Sequence, residues 1–441
     1  MSPHRPPGSE RRPALYRKLR PRPNGPSRDE VKSNQRARLQ GATIEAIAAR
    51  GFEATSVAEL CRLAGVSKRT FYEQFDNKQT CFLSTYDRIM ECTIARISAA
   101  RPLHEGWEAG LRAVLAALAG GVVDMPKAAH LALLEVLPAG PATLARRDSA
   151  RADTEWLLSL SFEESIRDVT LPPAVATGIV CGVERVMRSC MRDGREEQVE
   201  MLASELADWA RPYGSAAIAD LASHAPASGD PLAAPPLPRP RARHGSGHTR
   251  IVRAAAEITA DDGYEELTAA KIARRAGVPE SSFWHSYEST EECFLDALDR
   301  VCLEALLASV RAARTAEDAV VGMHRGLVAL LECVASDPVL RSVAFVEVLT
   351  AGASAVESSE RFVDRLLDLL SESLPPSRTP GPALEASAGA IWGLVSRHAA
   401  QGNDPRTLAL DVSYLALAPL VGPEAAVQAI VSDSEKAKSQ P

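Results

Sequence analysis

At 441 residues the chain is long for one domain, and length alone suggests roughly two to four. Hydrophobic residues at 46% and charged ones at 24% give the balance of a globular chain with a real core, which excludes a disordered or low-complexity one. The net charge of −7 argues against a general nucleic-acid coat protein, although a mean charge hides local patches.

Cysteines stand at 61, 81, 92, 181, 190, 293, 302 and 333, with no Cys-x-x-Cys pair and no His cluster beside them. Neither a metal site nor a disulfide framework is expected, and no cofactor. With no secretory leader at its start, the chain is expected to be reduced and cytoplasmic. The apolar run from Leu111 to Val123 contains Arg112 and two glycines and is too short to cross a bilayer.

Residues 1–28, rich in proline and arginine, predict a disordered basic arm. Over the first forty positions eleven Arg and Lys face only Glu10, Asp29 and Glu30. A first domain follows at 29–90. Leu39, Ile44, Ile47 and Ala48 mark one face of a helix that stops at Gly51. Ser56-Val57-Ala58-Glu59 reads as a capping box opening a second helix, which ends at Gly65, a residue free to take positive φ.

Ser67 can then cap a third, short helix. Phe71 and Phe75, four apart, point inward with Val66, which leaves Lys68, Arg69, Thr70, Tyr72 and Glu73 outside. Two helices about a glycine turn, the second showing basic and hydroxyl side chains, is a helix-turn-helix design suited to the major groove. Lys78, opening the next helix at Asp76-Asn77-Lys78, would lie beside backbone phosphate. Candidate DNA-binding residues in this head are Ser56, Ser67, Lys68, Arg69, Thr70, Tyr72 and Lys78.

The chain is written twice. An offset of 212 places Gly51–Leu83 on Gly263–Leu295 without a gap, with eleven identities where roughly two are expected from composition. The offset recurs downstream, where Pro126 matches Pro338 and Glu135-Val136-Leu137 matches Glu347-Val348-Leu349. After a one-residue slip, Gly178 and Gly182 match Gly389 and Gly393. The expected order is therefore a helical domain at 91–223, a Pro/Ala-rich linker at 224–247, a second head at 248–303, a second helical domain at 304–433 and a disordered tail at 434–441. No stretch alternates as a strand would, so the fold class is all-α.

The run Gly51-Phe52, Thr55-Ser56-Val57, Leu60, Ala64-Gly65-Val66-Ser67-Lys68-Arg69-Thr70-Phe71-Tyr72, Phe75 and Lys78 resembles the N-terminal domain of TetR/AcrR transcriptional regulators. The chain is thus expected to be two tandem units of that kind. Each would join a three-helix DNA-binding head to a helical effector and dimerisation domain. The resemblance implies that Thr70, Tyr72 and Lys78 touch DNA, the last two through phosphates. It also implies an unidentified small-molecule effector, and repression rather than activation.

The second head departs from the pattern. Pro279-Glu280-Ser281-Ser282 replaces the basic start of the recognition helix, Trp284 replaces the tyrosine and Thr290 the lysine. Residues 241–300 carry −3, against about +2 over 28–88, so the first head should grip DNA harder. Thr268, Ser281, Ser282, Trp284 and His285 are the second head's candidates.

The reading is a sequence-specific regulator whose repeats pair inside one chain as a pseudo-dimer on an imperfectly palindromic DNA operator. The alternatives are a homodimer in which only the first head binds DNA, and an all-α enzyme or scaffold. His104, Trp107, His130, Trp156, His324 and Trp392 could line effector pockets, but lone residues of these types more often serve packing. No catalytic constellation stands out.

Overall fold

A computed structural model of the chain describes residues 26–100, 106–137, 139–166, 169–223, 247–372 and 381–439. Nearly all of the basic arm, the linker, His104 and the last two residues lie outside them. The described residues are all-α and contain no strand, and they form two tandem units of the same order.

In unit one, α1 (Arg28–Ala54), α2 (Val57–Ala64) and α3 (Lys68–Tyr72) make the head, and α4 (Lys78–Ala100) runs from it into the body. The body continues with α5 (Trp107–Asp124), α6 (Pro126–His130), a π-helical turn at Leu131–Glu135, α7 (Pro141–Ser165), α8 (Pro173–Arg192), α9 (Val199–Ala210) and α10 (Ala217–Ser223). Unit two repeats this with α11 (Gly247–Asp262), α12 (Ala269–Ala276), α13 (Glu280–Ser286) and α14 (Thr290–Ala313). Its body holds α15 (Ala319–Ser336), α16 (Pro338–Phe345), α17 (Ala353–Ser371), α18 (Gly381–Ala400), α19 (Ala409–Val421) and α20 (Pro423–Ser439). Positions 90 and 303, where head and body were divided on sequence, fall inside α4 and α14.

Local chemistry repeats with the offset. The run α1 breaks at Gly51, where φ is +80, and Gly263 has φ +91 at the same place. Only glycine holds such angles without strain. Just beyond each glycine a backbone N–H donates to a glutamate from the body: Phe52 to Glu135 Oε2 and Tyr264 to Glu347 Oε2, both at 2.9 Å. An ion pair between the first two helices is kept with its polarity reversed, Arg50 to Glu59 at 3.4 Å in unit one and Lys271 to Asp262 at 4.0 Å in unit two.

The two bodies pack through α8 against α18, with α9 and α19 alongside. Helices approach this closely only where one side is small. A Cβ on Gly182 would lie 2.6 Å from the Ala386 carbonyl oxygen, and one on Gly393 would lie 2.6 Å from Cys181 Cβ. Gly178 and Gly389 face Leu415 and Arg185 in the same way.

Polar links cross the seam in both directions. Trp209 Nε1 donates to Ser387 Oγ at 2.9 Å, Tyr213 to the Leu415 carbonyl at 2.7 Å and Tyr414 to the Pro212 carbonyl at 3.3 Å. Arg185 and Arg188 of α8 reach Glu360 and Asp364 of α17, while Arg397 of α18 reaches Glu155 of α7 at 2.7 Å. Buried ion pairs add little net stability but penalise any other register, because a slip strands a charge.

Helix α15 has the length and hydropathy of a membrane span, but it is a core helix of body two. His324 in it is buried and bonded to Ser413 Oγ at 2.7 Å, and burial pushes its imidazole down to about 4.

Candidate nucleic-acid interface and ligand cavity

Head one presents α3 on a turn built from Gly65, whose φ is +62. Ser67 Oγ accepts from the Thr70 N–H at 3.1 Å, which caps the helix. Phe71 and Phe75 are buried beneath it, each burial contributing about 2–3 kcal/mol. With both rings pointing inward, Lys68, Arg69 and Tyr72 stand exposed on the opposite face and Thr70 beside them is half-buried. Tyr72 meets Phe71 edge-on at 5.4 Å and is 57% exposed, so much of its ring and its hydroxyl face solvent. Lys68 makes no ion pair or hydrogen bond among the described residues, and Arg69 reaches only Glu73, at 3.0 Å.

Two arginines that the sequence assigned only to a basic stretch brace this face. Arg38 donates to the Ala64 and Gly65 carbonyls at the end of α2, and Arg250 does the same to Gly277 in head two at 3.3 Å. Arg36 lies 4.4 Å over the Phe75 ring and donates to the Gln74 carbonyl.

Ser56 caps α2 by accepting from the Glu59 N–H at 3.3 Å, while the Glu59 carboxylate turns to Arg50. The reciprocal capping box belongs instead to Ser27 and Glu30. Lys78 is half-buried, with Nζ 2.7 Å from the Phe52 carbonyl and 4.1 Å from that ring's centre. Its charge sits at the end of α1.

Head two has the same turn, with Gly277 at φ +64, and the same buried pair in Phe283 and Tyr287. Thr268 caps α12 through the Lys271 N–H at 3.3 Å. The face itself differs. Pro279 caps α13 without a side-chain bond, and Glu280 puts a carboxylate in its first turn. The Trp284 indole N–H is held by Glu280 at 3.3 Å, and His285 Nδ1 faces the Ser281 carbonyl at 2.5 Å. Ser281 is exposed and Ser282 half-buried. Head one has a core of its own around Leu39, Leu60, Phe71 and Phe75, whereas the core of head two is continuous with the bodies.

Body one encloses a cavity of ≈ 450 Å³ between α4, α5, α6, α7 and α8. Ile89, Ile97, Leu111, Leu115, Leu118 and Leu158 line it, with Tyr86, Arg147, Arg151 and Glu184 at one wall. Burial alone would raise Glu184, but Arg151, Arg147 and Arg188 hold it down at about 2. Ala132 and Leu133 of the π turn also line the cavity, and the same turn ends at Glu135, which holds the Phe52 N–H.

Of the residues weighed as pocket-lining, Trp107 is in this wall. His130 faces Glu135 at 3.6 Å, Trp156 is exposed, and His324 and Trp392 are buried in body two with hydrogen-bonded partners. Cys81 and Cys293 are both fully buried, and burial pushes their thiols up to about 11 and about 12.

The description "Bacterial regulatory proteins, tetR family" matches this chain twice, at residues 41–85 and 251–297. No curated protein matches the chain. Among solved structures it is similar to the fatty acid degradation regulator FadR of Bacillus halodurans, at 15% identity over 41% of this chain and 95% of that one, with a TM-score of 0.37. FadR of Bacillus subtilis, solved with stearoyl-CoA, matches at 14% over 39% and 95%, TM-score 0.35. A TetR-like transcriptional regulator of Rhodococcus sp. RHA1 matches at 19% over 42% and 98%, TM-score 0.35. The N-terminal helix-turn-helix domain of the tetR family of bacterial regulatory proteins is thus present twice in this chain, as in a DNA-binding transcriptional regulator of tandem form.

Proposed function

We propose that the protein is a cytoplasmic, ligand-responsive repressor whose two heads act together from one chain, as a pseudo-dimer on an imperfect palindrome. The observation that carries this reading is the α8–α18 seam, which joins two helix-turn-helix units within a single polypeptide. Lys68, Arg69, Thr70 and Tyr72 read the stronger half-site, with Ser56, Ser67 and Lys78 positioned near phosphate. Thr268, Ser281, Ser282, Trp284 and His285 face the weaker one.

Recognition helices of such a pair enter successive major grooves, ~34–36 Å apart. A ligand in the body-one cavity acts through the π turn and Glu135 on the base of head one. It favours a head placement that fits the grooves less well, and operator affinity falls by population shift. A second reading, in which only head one binds DNA and two chains pair, is favoured by Glu280, whose charge opposes phosphate.

The test is selection of bound duplexes from a random pool with the purified chain. Two unlike half-sites about one helical turn apart are expected, with affinity falling steeply as salt rises. No preference for any duplex at low ionic strength contradicts the proposal.

A further inference from the structure

Resting on the reading of the body-one cavity as the effector site, we infer that its ligand is an amphipathic monoanion. An extended apolar body would end in one carboxylate-type head that pairs with Arg147. The walls are largely apolar, and three of their hydroxyls are already spent. Thr93, Thr154 and Ser161 each donate to the carbonyl four residues back, at 3.0 Å. Such a surface offers a ligand area to bury but few polar anchors.

The charges at the polar wall are unequally matched. Arg151 is matched by Glu184 at 2.5 Å, and Glu184 also faces Arg188 at 3.9 Å. Arg147 is matched less well. Its side chain is 6% exposed, its Nε has no hydrogen-bond partner, and its ion pair is a long one, Nη2 donating at 3.4 Å to the exposed Asp148, which also faces Arg151 at 3.7 Å. A guanidinium this buried loses its hydration without a full replacement, and a planar anion restores it best. A neutral ligand would leave the buried guanidinium incompletely paired, and a cation would oppose it.

Body two fills the same frame differently. Position 147 corresponds to Ser359, which is fully buried and accepts the Trp392 indole N–H at 2.8 Å. Ala150 and Thr154 correspond to Phe362 and Leu366, both buried. The place of the arginine is taken by a satisfied hydroxyl, and bulky side chains stand where unit one keeps small ones.

Titration calorimetry on the full chain, below micelle-forming concentrations, tests this with three probes of one tail: dodecanoate, dodecanol and dodecyltrimethylammonium. Dodecanoate is expected to bind once per chain and about tenfold or more tighter than dodecanol, with the cation weakest. In Arg147→Met, dodecanoate should fall to the level of dodecanol while dodecanol binding persists, which also shows that the variant is folded. Ala150→Phe/Thr154→Leu, which copies body two, should abolish both.

Equal binding of dodecanoate and dodecanol by the unaltered chain overturns the inference, as does binding of neither. So does full retention of dodecanoate by Arg147→Met. Dodecanoate that binds as expected but leaves operator affinity unchanged supports the inference and sinks only the effector reading.

Discussion

Replacing Gly182 with leucine is expected to destabilise the chain by ~3 kcal/mol or more, the upper end of what overpacking costs. At an open helix position, Gly→Ala gains about 0.5–1 kcal/mol from helix propensity. Position 182 reverses that sign even for alanine, because the first added carbon meets the Ala386 carbonyl and the Trp209 ring at 2.6 Å. A backbone carbonyl in the facing helix cannot swing aside as a side-chain terminus can. The seam must open, and with it the hydrogen bonds of Trp209 and Tyr213. Gly121→Ala is the control, since its Cβ would sit 3.7 Å from Arg96 Cδ in ordinary contact and should be neutral or stabilising. Urea unfolding of the two variants checks this, and a Gly182→Leu midpoint close to that of the unaltered chain would contradict the described seam.

The second large effect is on DNA. Lys68→Ala/Arg69→Ala should weaken operator binding about hundredfold or more, from roughly 1–3 kcal/mol per lost base or phosphate contact. The dependence of affinity on salt should also become shallower, because each lost phosphate contact removes about 0.9 from the logarithmic slope. The Arg69–Glu73 pair does not protect against this, as an 88% exposed arginine exchanges such a partner at little cost. Ser281→Ala/Trp284→Ala should cost about tenfold or less, since the Trp284 indole N–H is already spent on Glu280 and no cation is lost. Footprints of the two variants check this, and equal losses would contradict the proposed asymmetry between the heads.

Much of this was legible in residues with one dominant physical role. Gly51, Gly65 and Ser67 could be assigned because positive φ and a free N–H at a helix start each call for few residue types. The identity of Glu135 with Glu347 at the same offset was visible too, although its meaning needed the 2.9 Å bonds to Phe52 and Tyr264. Arg147 was not legible. Beside Arg146 it reads as solvated charge, and only the helical spacing through Ala150, Thr154, Leu157 and Ser161 puts it on the inner face of α7.

The cavity escaped for a more general reason. A void between five helices depends on what their side chains leave unfilled, and no single segment carries that signal. Arg36 and Arg38 were counted with a basic stretch because charge summed along a sequence takes no account of direction. In the structure they turn back onto the carbonyls that end α3 and α2.

The central claim is that one polypeptide supplies both halves of the DNA-reading unit. The mass of the protein–operator complex by light scattering tests it most directly. The account predicts the duplex plus a single chain of 47.2 kDa, contacting both half-sites. A complex that holds two chains, each touching one half-site through head one alone, would contradict it.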